Sequence, residues 1–154
     1  MVVLIQAISV FLALLCCTVQ ADPKKADAKP RIKLEFRRAE SKAADGLTEK
    51  TVQGSKTKVY LHKTADATNE DVAQASVATD DQERPTIEIT FTKQGARKIA
   101  KLTEEHKGKL LAIVIDGRVI SAPIIRDPFS ERAVITGTFS KEEAEKLARS
   151  IKGP

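Results

Sequence analysis

The chain has 154 residues, 26 of them Lys or Arg and 21 Asp or Glu, for a formal net charge of +5, which is about one domain's worth of polypeptide. Its two cysteines, Cys16 and Cys17, both fall within the first 21 residues, so the rest of the chain holds neither a disulfide framework nor a thiol nucleophile. One Tyr, five Phe and no Trp leave too few rings for a nucleic-acid stacking platform, and the positive charge alone does not make one.

Residues 1–21, "MVVLIQAISVFLALLCCTVQA", carry no Asp, Glu, Lys or Arg and end in Val19-Gln20-Ala21, with small residues at −3 and −1 of a cut before Asp22. This is the pattern of a secretory signal, although its charged n-region is reduced to the amino terminus. Two alternatives stay open: an uncleaved anchor over residues 2–19, about the minimum length for a bilayer span, and lipid attachment at Cys16. Residues 22–30 form a basic, Pro- and Ala-containing leader, in which Lys24, Lys25 and Lys29 oppose Asp22 and Asp27. That composition reads as a solvated tail. The folding unit is expected over 31–154.

In chain order, "RIKLEFRRAE" alternates Ile32, Leu34 and Phe36 with charged neighbours and predicts a half-buried strand. Residues 41–55 contain Gly46 and Gly54 without periodicity and read as a loop. "KTKVYLHK" puts Val59 and Leu61 on one face of a second strand. Thr68 with Asp71 has the spacing of a helix N-cap and predicts a short helix through Val72, Ala75 and Val77. After the charged turn "DDQERP", Ile87, Ile89 and Phe91 mark a strand. Thr92 then caps a helix whose Ala96, Ile99, Ala100 and Thr103 share one face, with Gly108 as its stop.

"LLAIVI" is a continuous apolar run, as expected of a strand covered on both faces, and Asp116-Gly117 is the pair that fills a two-residue type I′ turn. A hairpin over 110–125 follows. "AVITGTF" predicts one more strand with a bulge at Gly137. Ser140 and Glu143 form a capping box ahead of a last helix with the stripe Ala144, Leu147, Ala148 and Ile151. The order β-β-α-β-α-β-β-β-α describes an α+β domain, a mostly antiparallel sheet with two to three helices packed against it.

Enzyme chemistry finds no support. His62 and His106 have no Ser, Asp or second His at catalytic or ligand spacing and read as solvated. Ser121 lacks the glycines of a nucleophile elbow, there is no glycine-rich phosphate loop, and no metal or cofactor is expected. Phe36, Phe91 and Phe139 lie in apolar strand patterns and read as core.

Pro123 is the anomaly, because it removes a ladder hydrogen bond from the returning arm of the hairpin. It protects an exposed edge, or it bends Ser121, Ala122, Pro123, Ile124 and Ile125 into one wall of a groove, with Ile124 and Ile125 as its exposed apolar side chains. Both readings fit the residues.

The stretch from Gly108 to Ile151 is similar to the head subdomain of the first periplasmic domain of SecD, a family that assists protein export together with SecF. The resemblance rests on Leu111-Ala112-Ile113-Val114, Asp116-Gly117, Ser121-Ala122-Pro123, Ile135-Thr136-Gly137, Phe139 and Glu142-Glu143-Ala144. Upstream, "VYLHK" and "IEITFTKQGARKIAKLTEEHKGK" follow the family's element order, so the likeness runs from about Lys56 to Ile151. It implies an extracytoplasmic domain, periplasmic or secreted, that holds emerging polypeptide, in a family where transmembrane helices couple head motion to proton flow. The sequence closes at Pro154 without those spans, a membrane carboxylate relay or a recognisable base, and Ser130-Glu131-Arg132 stands where a glycine-rich loop is expected.

The expectation is therefore a stand-alone exported head that binds without driving. Its expected partners are unfolded or extended polypeptide, an envelope protein or a Sec-type translocase component, with no nucleic acid and no stable membrane span after signal cleavage. Affinity would come from main-chain pairing at a strand edge or from the groove at 121–125. The alternative is a structural or interaction domain of the envelope that kept the fold without an export role.

Overall fold

The computed structural model describes residues 32–129 and 131–152. The apolar segment 1–21 with its cysteines, the leader 22–30 and Ser130 lie outside the described residues.

In chain order the elements are β1 (Leu34–Glu40), β2 (Thr48–Thr51), β3 (Lys58–Leu61), β4 (Ala67–Thr68), a 3-10 turn (Asn69–Asp71), β5 (Val72–Thr79), β6 (Pro85–Phe91), α1 (Lys93–Glu105), β7 (Leu110–Ile115), β8 (Arg118–Ser121), β9 (Arg132–Ile135) and α2 (Lys141–Lys152). The class is α+β with antiparallel pairing between all named strands, as the element order implied. The strands divide between two sheets. One runs β2-β3-β1-β7-β8 with β4 also on β1, and the other runs β5-β6-β9.

The apolar run of β7 explains how the sheets share their interior. Leu111, Ile113 and Ile115 join Leu34, Phe36, Ile87, Ile89, Phe91, Ile99 and the inner face of α2 in the main core. Ala112 and Val114 point the other way, into a smaller core with Ala39, Val59, Leu61 and Val119. The cover on that second face is the sheet itself: it curls until Val52, just past β2, bridges Val119 of β8, and the Gln53 N–H donates to the Val119 carbonyl at 2.8 Å. Within the main core the rings of Phe36 and Phe91 meet edge to face with centroids 5.4 Å apart.

Three expectations about the elements are corrected. The segment 68–77 is not a helix. Thr68 and Asp71 do form the reciprocal capping box, but it closes only the three-residue 3-10 turn, and Val72–Thr79 continues as a strand against β6. A bulge between Val72 and Gln74 inserts one residue, so Val72 and Ala75 lie three apart in a period-two strand and imitate helical spacing. Residues 48–51, read as loop, pair with β3 as β2, which is exposed throughout and so carries no apolar pattern. Gly137 is not a bulge. β9 ends at Ile135, and a methyl at position 137 would collide with Phe139 and Ile120, so the glycine is there for close approach.

Both helices start as their caps predict. Thr92 Oγ1 accepts the Gly95 N–H at 3.0 Å, and Ser140 and Glu143 exchange the two bonds of a capping box. α1 is seated on the 3-10 turn: the Thr92 N–H donates to the Asp71 carbonyl at 2.8 Å, Lys98 pairs with the buried Asp71 carboxylate at 2.8 Å, and a methyl on Gly95 would fall onto the Asp71 carbonyl oxygen. Asn69 joins the two ends of the fold. Its amide donates to the carbonyls of Ile32 and Ile151 and its oxygen accepts from the Leu34 N–H, at 2.9, 2.7 and 2.7 Å.

Candidate polypeptide groove

The β7–β8 hairpin sets the first wall of the site. Asp116 and Gly117 take φ of 48° and 78°, the left-handed pair that a type I′ turn requires. The turn is also tied down, since Asp116 Oδ1 accepts the Lys33 N–H at 2.8 Å and the Asp116 N–H donates to the Lys33 carbonyl at 2.9 Å.

Ile113 pairs with Ser121 whereas Val114 pairs with Val119, which leaves Ile120 as the extra residue of a bulge. Beyond Ser121 the chain keeps the shifted register. Leu110 bridges Ile124, the Leu111 N–H donates to the Pro123 carbonyl, the Ile125 N–H donates to the Lys109 carbonyl, and the Gly108 N–H donates to the Ile125 carbonyl. Pro123 has no N–H to return to Leu111, so it thins this ladder without ending it.

The five residues singled out at 121–125 divide by environment. Ser121 and Ala122 are half-buried, Ala122 against the smaller core, and the buried Ser121 hydroxyl has no hydrogen-bond partner among the described residues. Pro123 is exposed and Ile124 is 57% exposed. Ile125 is only 4% exposed and belongs to the main core. The expectation that Ile124 and Ile125 both present apolar side chains outward is thus half corrected, because residues that alternate along an extended chain cannot share a face.

Pro123, Ile124 and Ile125 line one side of an open groove of about 330 Å³. Phe36, Leu111 and Ile113 form its floor, and Arg132, Ala133 and Val134 of β9 form the opposite wall. The segment closing the first wall is held by Thr103 on α1, whose hydroxyl accepts the Phe129 N–H at 3.2 Å and lies 3.2 Å from the Phe129 carbonyl. Sequence reading missed Val134, Phe129, Arg126 and Arg132. Val134 was recoverable, because Ala133 and Ile135 alternate with it and point inward.

Ile124 and Val134 are the exposed large hydrophobics among the described residues, 57% each, and both border this groove. The charges at its rim are unequal. Asp127 pairs with Lys107 and Arg132 with Glu88, each at 3.2 Å, whereas Arg126 has no partner among the described residues.

A second cavity of about 480 Å³ lies between the hairpin turn and α2, with Ile115, Phe139 and Leu147 inside and Asp116, Arg118, Glu143 and Lys146 around it. No large hydrophobic is exposed there.

The ionisable clusters are structural. His106 is not a solvated residue: it caps the C-terminus of α1 with Nδ1 3.0 Å from the Leu102 carbonyl and Nε2 3.3 Å from Arg38. A guanidinium only donates, so Nε2 accepts and Nδ1 carries the hydrogen. His62 lies 4.0 Å from Glu40. Burial pushes the Glu35 carboxyl upward, but hydrogen bonds from Arg37 and Lys33 outweigh it and hold the group below the ordinary glutamate range. Among the described residues no three His, Cys, Asp or Glu side chains converge to hold a metal ion, and no helix is long and apolar enough to cross a membrane.

Comparison with known proteins places these features in context. Residues 47–153 match the family model described as SecDF, P1 head subdomain. The chain is 42% identical over 81 residues to protein translocase subunit SecD of Aquifex aeolicus, and 45% identical over 82 residues to protein translocase subunit SecDF of Thermus thermophilus. Each alignment covers 53% of this chain, and 16% and 11% of the respective relative. The chain thus spans less than a fifth of the length of these relatives.

Among solved structures, SecDF in its super-membrane-facing form superposes with a TM-score of 0.66 at 31% identity, over 81% of this chain and 19% of that one. A SecDF structure described as a membrane component that enhances protein export gives 0.64 at 29% identity, over 80% of this chain and 63% of that one.

Proposed function

Since this chain belongs to the SecDF P1 head subdomain family, we propose that it is a non-catalytic, extracytoplasmic binding module that takes unfolded or extended polypeptide into the groove between Pro123–Phe129 and β9 during or after protein export. Residues 1–21 direct the chain out of the cytoplasm in this reading, and a Sec-type translocase component or another envelope protein is the neighbour from which it receives its client.

The observation that carries the proposal is the coincidence of Ile124 and Val134, each 57% exposed, at a single groove with an apolar floor. Soluble surfaces scatter single hydrophobics, but a cluster around a concave, polar-rimmed site marks binding. Full burial of side chains of this size is worth roughly 1.5–3 kcal/mol each, and about half of that remains to be gained here. Such a hold is weak, which suits a client that must pass on. The relatives support the export context, since those compared above are translocase subunits.

The test is a photoreactive side chain at Ile124 rather than at the buried Ile125, in an exported, tagged copy of the chain. Crosslinking to many unrelated exported polypeptides is expected. Capture of one folded envelope partner instead would favour the alternative, a structural or interaction domain in which the exposed Pro123 serves only to blunt the returning arm of the hairpin.

A further inference from the structure

We propose that the bound segment adds as a strand to the side of β9 that is unpaired among the described residues, and that it carries an acidic side chain set against Arg126 and Arg132; this rests on the polypeptide-binding reading above. β9 is the outer strand of the second sheet, paired to β6 on one side. Ile87 pairs with Ile135 and Thr90 with Arg132 without a register shift, and the Phe91 N–H donates to the Glu131 carbonyl at 3.0 Å. Antiparallel ladders alternate, so positions 131, 133 and 135 turn their main-chain groups toward β6. The N–H and C=O of Arg132 and Val134 therefore point to the groove side, two residues apart, which is the spacing an extended chain reads.

The other edge of this sheet is less suited to a partner, because β5 is broken by its bulge at Val72–Gln74. β9 has neither bulge nor proline. An added strand would bring alternate side chains over Val134 and toward Ile124. The rim charges then choose among extended segments. Arg126 is unpaired among the described residues and the side chain of Arg132 is 71% exposed despite its contact with Glu88, whereas the one acid on the groove rim, Asp127, already has Lys107. The uncompensated charge is positive, and its complement is a carboxylate on the incoming strand.

The probes are three fluorescein-labelled eight-residue peptides of alternating Val and Thr: one with a central Asp, one with Lys in its place, and the Asp peptide N-methylated at every backbone amide. Binding to the full chain, read by anisotropy at low salt, is expected to be about threefold to tenfold tighter for Asp than for Lys, the scale of exposed ion pairs. Arg126→Glu should reverse that order. N-methylation should abolish binding, as should Val134→Pro, which removes an outward N–H that β6 does not use; a urea titration of that variant confirms that it is folded. Equal binding of the methylated peptide, or no preference between Asp and Lys, overturns the added strand or its acidic complement while leaving the groove reading intact. Failure of all three peptides to bind removes the groove reading and this inference together.

Discussion

The sharpest test of the site separates two neighbouring isoleucines. Ile125 is 4% exposed within the main core, and its N–H and C=O are both bonded to the 108–109 segment, whereas Ile124 is 57% exposed at the groove. Truncating a buried isoleucine costs about 2–5 kcal/mol through lost transfer energy and the cavity left behind, and a serine adds a hydroxyl to that cavity. Ile125→Ser is therefore expected to cost ~3–5 kcal/mol, a large share of the roughly 5–15 kcal/mol that holds a domain of this size. In urea, with a slope of about 1–3 kcal/mol/M, that is a midpoint lower by about 1–3 M. Ile124→Ser should stay within ~0.5 kcal/mol of the parent, the range of surface changes, yet weaken capture of polypeptide. Equal destabilisation by the two substitutions, or unchanged capture by Ile124→Ser, would refute the division of the 121–125 segment into a core residue and a groove residue.

Three further outcomes follow from contacts elsewhere in the fold. Asn69→Ala removes three hydrogen bonds that join Ile32, Leu34 and Ile151, and should cost about 2–4 kcal/mol in chemical denaturation; a loss below about 0.5 kcal/mol would mean water replaces them freely. Gly95→Ala gains about 1 kcal/mol of helix propensity but drives a methyl into the Asp71 backbone, so the variant should be less stable by a net ~1–2 kcal/mol, and a stabilised variant would show that α1 shifts without cost. Glu35 has a folded-state pKa below its unfolded value, so its contribution is present above the ordinary glutamate range and is lost as pH falls through the folded value. Unfolding free energy measured between about pH 7 and pH 3 should therefore decline, and Glu35→Gln should flatten that decline; an unchanged slope would show that Arg37 and Lys33 gain nothing from the carboxylate.

Much of the fold was legible because it is local. The type I′ pair Asp116-Gly117, the caps Thr92 and Ser140, and the inward stripe of α2 each depend on residues within four positions of one another, as does most of the α1 face, where Leu102 rather than Ala100 enters the core. The run "LLAIVI" announced a strand covered on both faces. The short motifs around it pointed to the SecD head family, which the match over residues 47–153 bears out.

What lay beyond the sequence depended on register and on distant partners. The bulge at Val72–Gln74 gave a strand the spacing of a helix, and the exposed β2 has no apolar pattern by which to be found. The groove shows the same limit. Of the residues 121–125, Pro123, Ile124 and Ile125 line the groove and Ser121 and Ala122 do not, while its floor comes from Phe36, Leu111 and Ile113 and its other wall from β9. That Ile124 faces the groove while Ile125 enters the core follows from the bulge at Ile120, which sets the register of the returning chain. Local chemistry specifies which elements form; a one-residue shift against a neighbouring strand decides which side chains they show, and only the packed structure determines that shift.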